Sequence, residues 1–181
     1  MKAVLIAAAS PQVASVASVA AASGLDVPIV GNTPSFSPKL MATPAGPALA
    51  KNFYTSSSIA PAPTATGDEK TFVTAYQSAQ AGEPPTQNGV MYAYAAGRIM
   101  TETLRRSCDD LTRNGMQKAF RSITALDTGG AVAGILDYSD PGVAPSREVY
   151  ISRADADAPG GLVAVGPPFA SDLARSFTFG S

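Results

Sequence analysis

The stretch KAVLIAAASPQVASVASVAAASGLDVPIVGN, residues 2–32, decides the fold. Its apolar run over 3–8 is short and has the length of a buried strand. Ser10-Pro11 then reads as an N-cap and a first helical position, where proline's missing N–H costs nothing. Val13, Val16, Ala17 and Ala20 recur at helical spacing and fall on one face. Gly24 suits the left-handed residue that closes a helix, and residues 27–30, with Pro28 at the strand start, make a second strand. Strand, helix, glycine and strand in this order form a βαβ unit, which implies two parallel strands joined by a right-handed crossover. Residues 1–22 also carry the pattern of a signal peptide: Met-Lys, an apolar run and Ala-x-Ala sites. The continuation through Gly24 and Val27 favours the βαβ unit.

Outward from this unit, residues 31–50 read as a Pro/Ser/Gly-rich loop with a short helix near 38–42, and 52–59 as a strand. Pro61, Pro63 and Gly67 break the chain. Asp68 caps a helix to about Ala79, with Phe72, Val73 and Tyr76 inward. Thr86 caps the longest helix, 87–106, whose apolar stripe is Val90, Tyr94, Gly97, Met100-Thr101 and Leu104. Thr112 caps a further helix carrying Met116, Ala119, Phe120 and Ile123. A glycine-rich turn over 127–134 precedes strands over 135–138, 148–153 and 162–165, the last two separated by a turn over 157–161. The tail beyond Pro167-Pro168 carries no clear pattern.

Composition narrows the function. The 181 residues suit one domain, or one lobe and part of another. Thirteen Lys+Arg against fourteen Asp+Glu, with no basic stripe, argue against nucleic acid. There is no histidine, which removes the usual general base, the common triads and the most frequent transition-metal ligand. Cys108 is the only cysteine, so neither an internal disulfide nor a structural zinc site is expected; beside Arg105 and Arg106 it reads as an incidental thiol. Asp109-Asp110 reads as capping or solvation, and Asp155 with Asp157 lacks the spacing of a calcium loop. Gly129-Gly130 and Gly160-Gly161 are turns rather than phosphate cradles, and no G-x-S-x-G elbow occurs. No catalysis, metal or cofactor is expected, and no segment reaches the roughly 20 continuous apolar residues of a membrane span.

Ligands of parallel α/β sheets bind beyond the carboxyl ends of the strands. Here those ends are Ala9-Ser10 and Asn32-Thr33. Ser10 at a helix N-terminus offers hydroxyl and backbone N–H groups to an anionic ligand, or simply caps its helix. Both readings stand on the residues alone.

The ordered series of segments resembles the type I periplasmic binding proteins, in particular the substrate-binding proteins of branched-chain amino acid ABC transporters. The passages that carry the resemblance are residues 3–6, Ser10-Pro11, residues 24–28, the 94–104 helix, residues 110–113, the 127–130 turn, 136–139 and 147–150. The resemblance implies an α/β fold with parallel-sheet lobes, incomplete here because the family's first half has no counterpart. Residues 1–65 then supply part of the second ligand-binding lobe, 66–138 helices and a strand returning to the first lobe, and 139–181 closing strands and tail. It implies a binder of a small polar solute, such as an amino acid or carboxylate, with Ala9, Ser10, Asn32 and Thr33 at the cleft. It also implies an ABC permease as partner, an extracytoplasmic parent, and exposed apolar faces covered by the missing half or by self-association. Amino-acid binders of the family place an acidic residue after the second strand, where this chain has Thr33 beside Asn32. A carboxylate or uncharged solute without an amine is therefore expected at least as much as an amino acid. A sensor domain of the same fold and a small α/β enzyme are the alternatives.

Overall fold

The computed structural model describes residues 2–61, 68–82 and 88–177. Strands β1 (Val4–Ile6), β2 (Ile29–Asn32), β3 (Phe53–Ser57), β4 (Tyr150–Ala154) and β5 (Leu162–Ala164) form one sheet in that spatial order. The first three are parallel, with Val4 opposite Ile29 and Ile29 opposite Phe53. β4 runs antiparallel to β3, and β5 antiparallel to β4. The sheet is thus mixed, with the parallel half built by the opening βαβ unit and its continuation. The tight turn before β5 relies on Gly160 and Gly161, both at positive φ (80° and 73°).

Helix α1 (Ser10–Ala22) joins β1 to β2, and Gly24 at φ 68° ends it as expected. Its N-cap is Ala9, not Ser10; Ser10 is already the first helical residue, and the cap makes no side-chain hydrogen bond. The expected helix near 38–42 is a 3-10 turn, Pro38–Ala42. Helix α2 (Gly46–Asn52) lies in the stretch read as loop. Gly46-Pro47 opens that helix, because proline is tolerated in the first turn.

One sheet face is covered by α1, α2 and the turns between them. Val13, Ala17, Phe36, Leu40 and Leu49 pack there against Ile29, Phe53, Ala154 and Leu162. The alternate row, Leu5–Val30–Tyr54–Arg153–Val163, runs across all five strands on the other face. None of its members is buried, and Leu5 is 81% exposed.

Beyond the sheet lie α3 (Asp68–Ala79), α4 (Asn88–Arg106), α5 (Arg113–Arg121) and a short α6 (Asp172–Ser176) in the tail. The expected caps at Thr86 and Asp68 fall outside the described residues or side chains. Thr112 does cap α5, its hydroxyl accepting the Gly115 N–H at 3.1 Å. Met91 and Ala95 of α4 join Ile59 and Ala131 in a second small core. The buried stripe of α4 therefore runs through Met91, Ala95 and Thr103, with Ser107 just past its end also buried. The apolar stripe expected from the sequence is instead the open one: Met100 is 53% and Leu104 45% exposed. Residues 135–138 do not form a strand. Gly134 sits at φ 75°, Asp137 turns the chain by accepting from the Ser139 N–H, and only an isolated bridge joins Leu136 to Leu126.

Candidate functional site

The carboxyl ends of β1, β2 and β3 lie along one edge of the sheet. Ala9 is exposed as the α1 N-cap, and Ser10 is half-buried in the first turn. Asn32 closes β2 and is exposed; Thr33 opens a 3-10 turn, Thr33–Ser35, and is half-buried.

Two hydroxyl links, one buried and one half-buried, hold these ends together. Ser35, with 0% exposure, has its Oγ 2.9 Å from the Ala8 carbonyl, 3.2 Å from the Asn32 backbone N–H that it accepts, and 2.6 Å from Asn32 Oδ1. The Asn32 and Ser35 side chains face each other in the arrangement of a capping box. Ser35 thus ties the end of β1 to the end of β2. Thr33 Oγ1 donates to Ser57 Oγ at 3.1 Å, and Ser57 Oγ accepts from the Ile59 N–H, which ties β2 to β3. Beneath them Phe36 stacks on Phe53 with centroids 6.0 Å apart. Gly31 is required there: a Cβ would stand 2.6 Å from Ser35 Cβ and 2.9 Å from Phe53 Cζ.

No charged residue lies within 7–10, 31–37 or 54–60. The edge is lined by hydroxyls, an amide and backbone groups, so it offers hydrogen bonds but no formal charge. Residues 9, 10, 32 and 33 line none of the described cavities. Ser35 and Ser57, which hold Asn32 and Thr33, are not among the residues expected at the site. The spacing of Asn32 and Ser35 carried the signal of a capping pair, but Pro34 and the surrounding prolines read as loop.

The largest of the described cavities lies elsewhere, a groove of about 880 Å³ between α3 and α4. Phe72, Tyr76, Val90, Tyr94, Gly97 and Thr101 line it. Arg98 donates to Tyr94 Oη (3.2 Å) and to the Asp127 carbonyl (3.3 Å). At the far margin Arg106 Nε donates to Glu102 at 2.7 Å, and that hydrogen bond holds the Glu102 carboxyl below its ordinary range. Among the described residues no group of His, Cys, Asp and Glu has the arrangement to hold a metal ion, and no helix is long and apolar enough to cross a membrane.

A mostly parallel sheet with ligand-type groups at its carboxyl edge and a helical segment beyond it is the architecture of a bilobal binding protein's lobe. The chain belongs to the periplasmic binding protein family, whose model matches residues 1–159. Among solved structures it resembles a fatty acid ABC transporter substrate-binding protein from Thermomonospora curvata, at 32% identity and TM-score 0.89, over 97% of this chain and 45% of that one. A branched chain amino acid ABC transporter protein from Thermus thermophilus with bound valine matches at 23% identity and TM-score 0.73, over 97% of this chain and 47% of that one. A leucine binding protein from Thermotoga maritima matches at 16% identity and TM-score 0.69, over 94% and 45% respectively. The chain therefore spans about half the length of these relatives. No curated protein sequence matches.

Proposed function

We propose that this chain is part of the solute-binding component of an ABC importer, and that it binds a small carboxylate lacking an amine. Ala9, Ser10, Asn32 and Thr33 would line the cleft, and a facing lobe would complete it. The observation that carries this reading is the uncharged edge at the ends of β1 and β2, clamped by Ser35. An ammonium group is bound best by an acid, and residues 7–10 and 31–37 contain none. The solved relative at 32% identity is described as a fatty acid binder, which agrees with a carboxylate. Residues 1–65 then form part of one lobe, 66–138 return to the other, and 139–181 supply the closing strands and tail. An ABC permease is the partner that receives the solute, and the parent protein works outside the cytoplasm.

The two uncovered apolar surfaces fit the same reading. The Leu5–Val30–Tyr54–Val163 row and the Val90–Tyr94–Gly97 stripe are what the remainder of a two-lobed protein, or self-association, would cover. No catalytic step is part of this function. A thermal-shift screen with amino acids, fatty acids, aromatic carboxylates and polyols tests it. A ligand at 100 times its dissociation constant adds about 2.7 kcal/mol to a cooperative transition. A shift with carboxylates alone supports the reading; a shift with amino acids alone removes the proposed solute class.

A further inference from the structure

We infer that the Ser146 hydroxyl is a pin that sets the angle between two bodies of this chain, the sheet with α1 and α2, and the helices α3 to α5. The apolar cluster under the sheet comprises residues within 4–53 together with Ala154 and Leu162, and among the described residues it includes none of α3, α4 or α5. Phe72, Met91, Tyr94 and Ala95 of those helices pack instead with Ile59, Ala131 and Val132. The two bodies join where Ala60, Ala133 and Tyr150 are buried together. Apolar contact of this kind resists separation but has no direction, so it does not fix an angle.

Three segments meet at this joint: 58–60 leaves β3, 131–133 lies beside it, and 146–149 leads into β4. The first two are tied through backbone groups. The Ala60 N–H donates to the Ala131 carbonyl at 3.1 Å, and the Ala133 N–H to the Ser58 carbonyl at 2.8 Å. On the other side of 131–133 the tie is a side chain. Ser146 Oγ donates to the Ala133 carbonyl at 2.6 Å and accepts the Glu148 N–H at 3.2 Å. One hydroxyl, using its proton and a lone pair, thus joins the segment beside β3 to the segment entering β4. Gly134, at φ 75°, leaves the room for it: a Cβ there would stand 2.8 Å from Ser146 Oγ. Ser146 is a positioning residue, and loss of one hydrogen bond of this kind raises the population of a loosened joint about fivefold.

The test is pulsed dipolar spectroscopy on the full chain without solute, because Cys108 is exposed at the end of α4 and takes one spin label as it stands. A second label goes on Ser18→Cys, an exposed site of α1, to span the joint. In a control pair it goes on Gln77→Cys, an exposed site of α3, within the helical body. Each pair is measured with Ser146 intact, with Ser146→Ala and with Ser146→Thr, alongside the thermal transition. Ser146→Ala is expected to broaden or displace the 18–108 distance distribution and to leave 77–108 unchanged. Ser146→Thr, which keeps the hydroxyl, is expected to restore the narrow 18–108 distribution. An 18–108 distribution unmoved by Ser146→Ala overturns the pin, as does one equally broad in Ser146→Thr. Broadening of both pairs, or loss of the cooperative transition in Ser146→Ala, also overturns it, since a pin sets an angle without carrying the fold.

Discussion

The rings of Phe72 and Tyr94 stack with centroids 4.4 Å apart and 24° between planes, and they tie α3 to α4 at the open groove. Both rings are only half-buried, and Tyr76 extends the pair at 6.1 Å from Phe72. Among the described residues Phe72 is the α3 side chain packed against the Ile59, Met91, Ala95 and Ala131 cluster, so this stack contributes to its attachment. Phe72→Ala is expected to cost about 1–3 kcal/mol, from lost burial and the aromatic pair. Limited proteolysis should then cut within 68–79 sooner than in the wild type. Unchanged cleavage would mean that α3 is held by other contacts.

Thr55 sits on β3 with 2% exposure, and its hydroxyl has no hydrogen-bond partner among the described residues. An unsatisfied buried hydroxyl opposes folding, and valine has nearly the same shape. Thr55→Val is expected to stabilise the chain by about 1 kcal/mol, read from the denaturant midpoint at constant m value.

Gly31 faces Ser35 and Phe53 across a gap that admits no Cβ. The obstructing Ser35 Cβ belongs to the turn itself and cannot rotate away. Gly31→Ala is expected to destabilise by about 1–3 kcal/mol through overpacking, and to weaken carboxylate binding because the Asn32–Ser35 turn must shift. Loss of stability with intact affinity would separate the packing from the site.

Acid should weaken the fold through exposed carboxylates that are hydrogen-bonded when folded. Asp110 is held below its ordinary range by the Thr112 hydroxyl and backbone N–H, Asp26 by Asn52 and Lys51, and Asp137 by Ser139. Each binds its proton less readily folded than unfolded. Their stabilisation is present above the unfolded carboxylate values and is lost as pH falls through that range to the depressed folded values. Asp110→Asn is expected to be less stable than the wild type at neutral pH, and the two should converge in acid. Parallel curves throughout would show that Asp110 makes no such contribution.

Much of this architecture is legible in the residues. A short apolar run, a helix ended by Gly24 and a second apolar run suffice for the parallel pair β1–β2, because those signals are local. The failures have physical causes. Serine prefers the cap position, yet here the cap is Ala9 and Ser10 is the first helical residue. The strand over 135–138 is absent because Gly134 and the Asp137 turn break the pairing that its apolar residues suggest. On α4 the sequence shows an apolar stripe but not what covers it, and the smaller Ala95, Thr103 and Ser107 face the interior instead. Of the candidate site, the exposed Asn32 and half-buried Thr33 can be named from strand ends alone. Ser35 and Ser57 could not, since their importance arises from contacts with chain segments up to 27 residues away.

The central claim is that solute meets this chain at the ends of β1 and β2 and not in the wider groove. Hydrogen–deuterium exchange with and without saturating octanoate tests it most directly. Slowed exchange is expected at residues 8–10 and 32–35, with no change along α3 and the 90–101 segment of α4. Protection confined to the groove around Phe72 and Tyr94, with none at the strand ends, would contradict it.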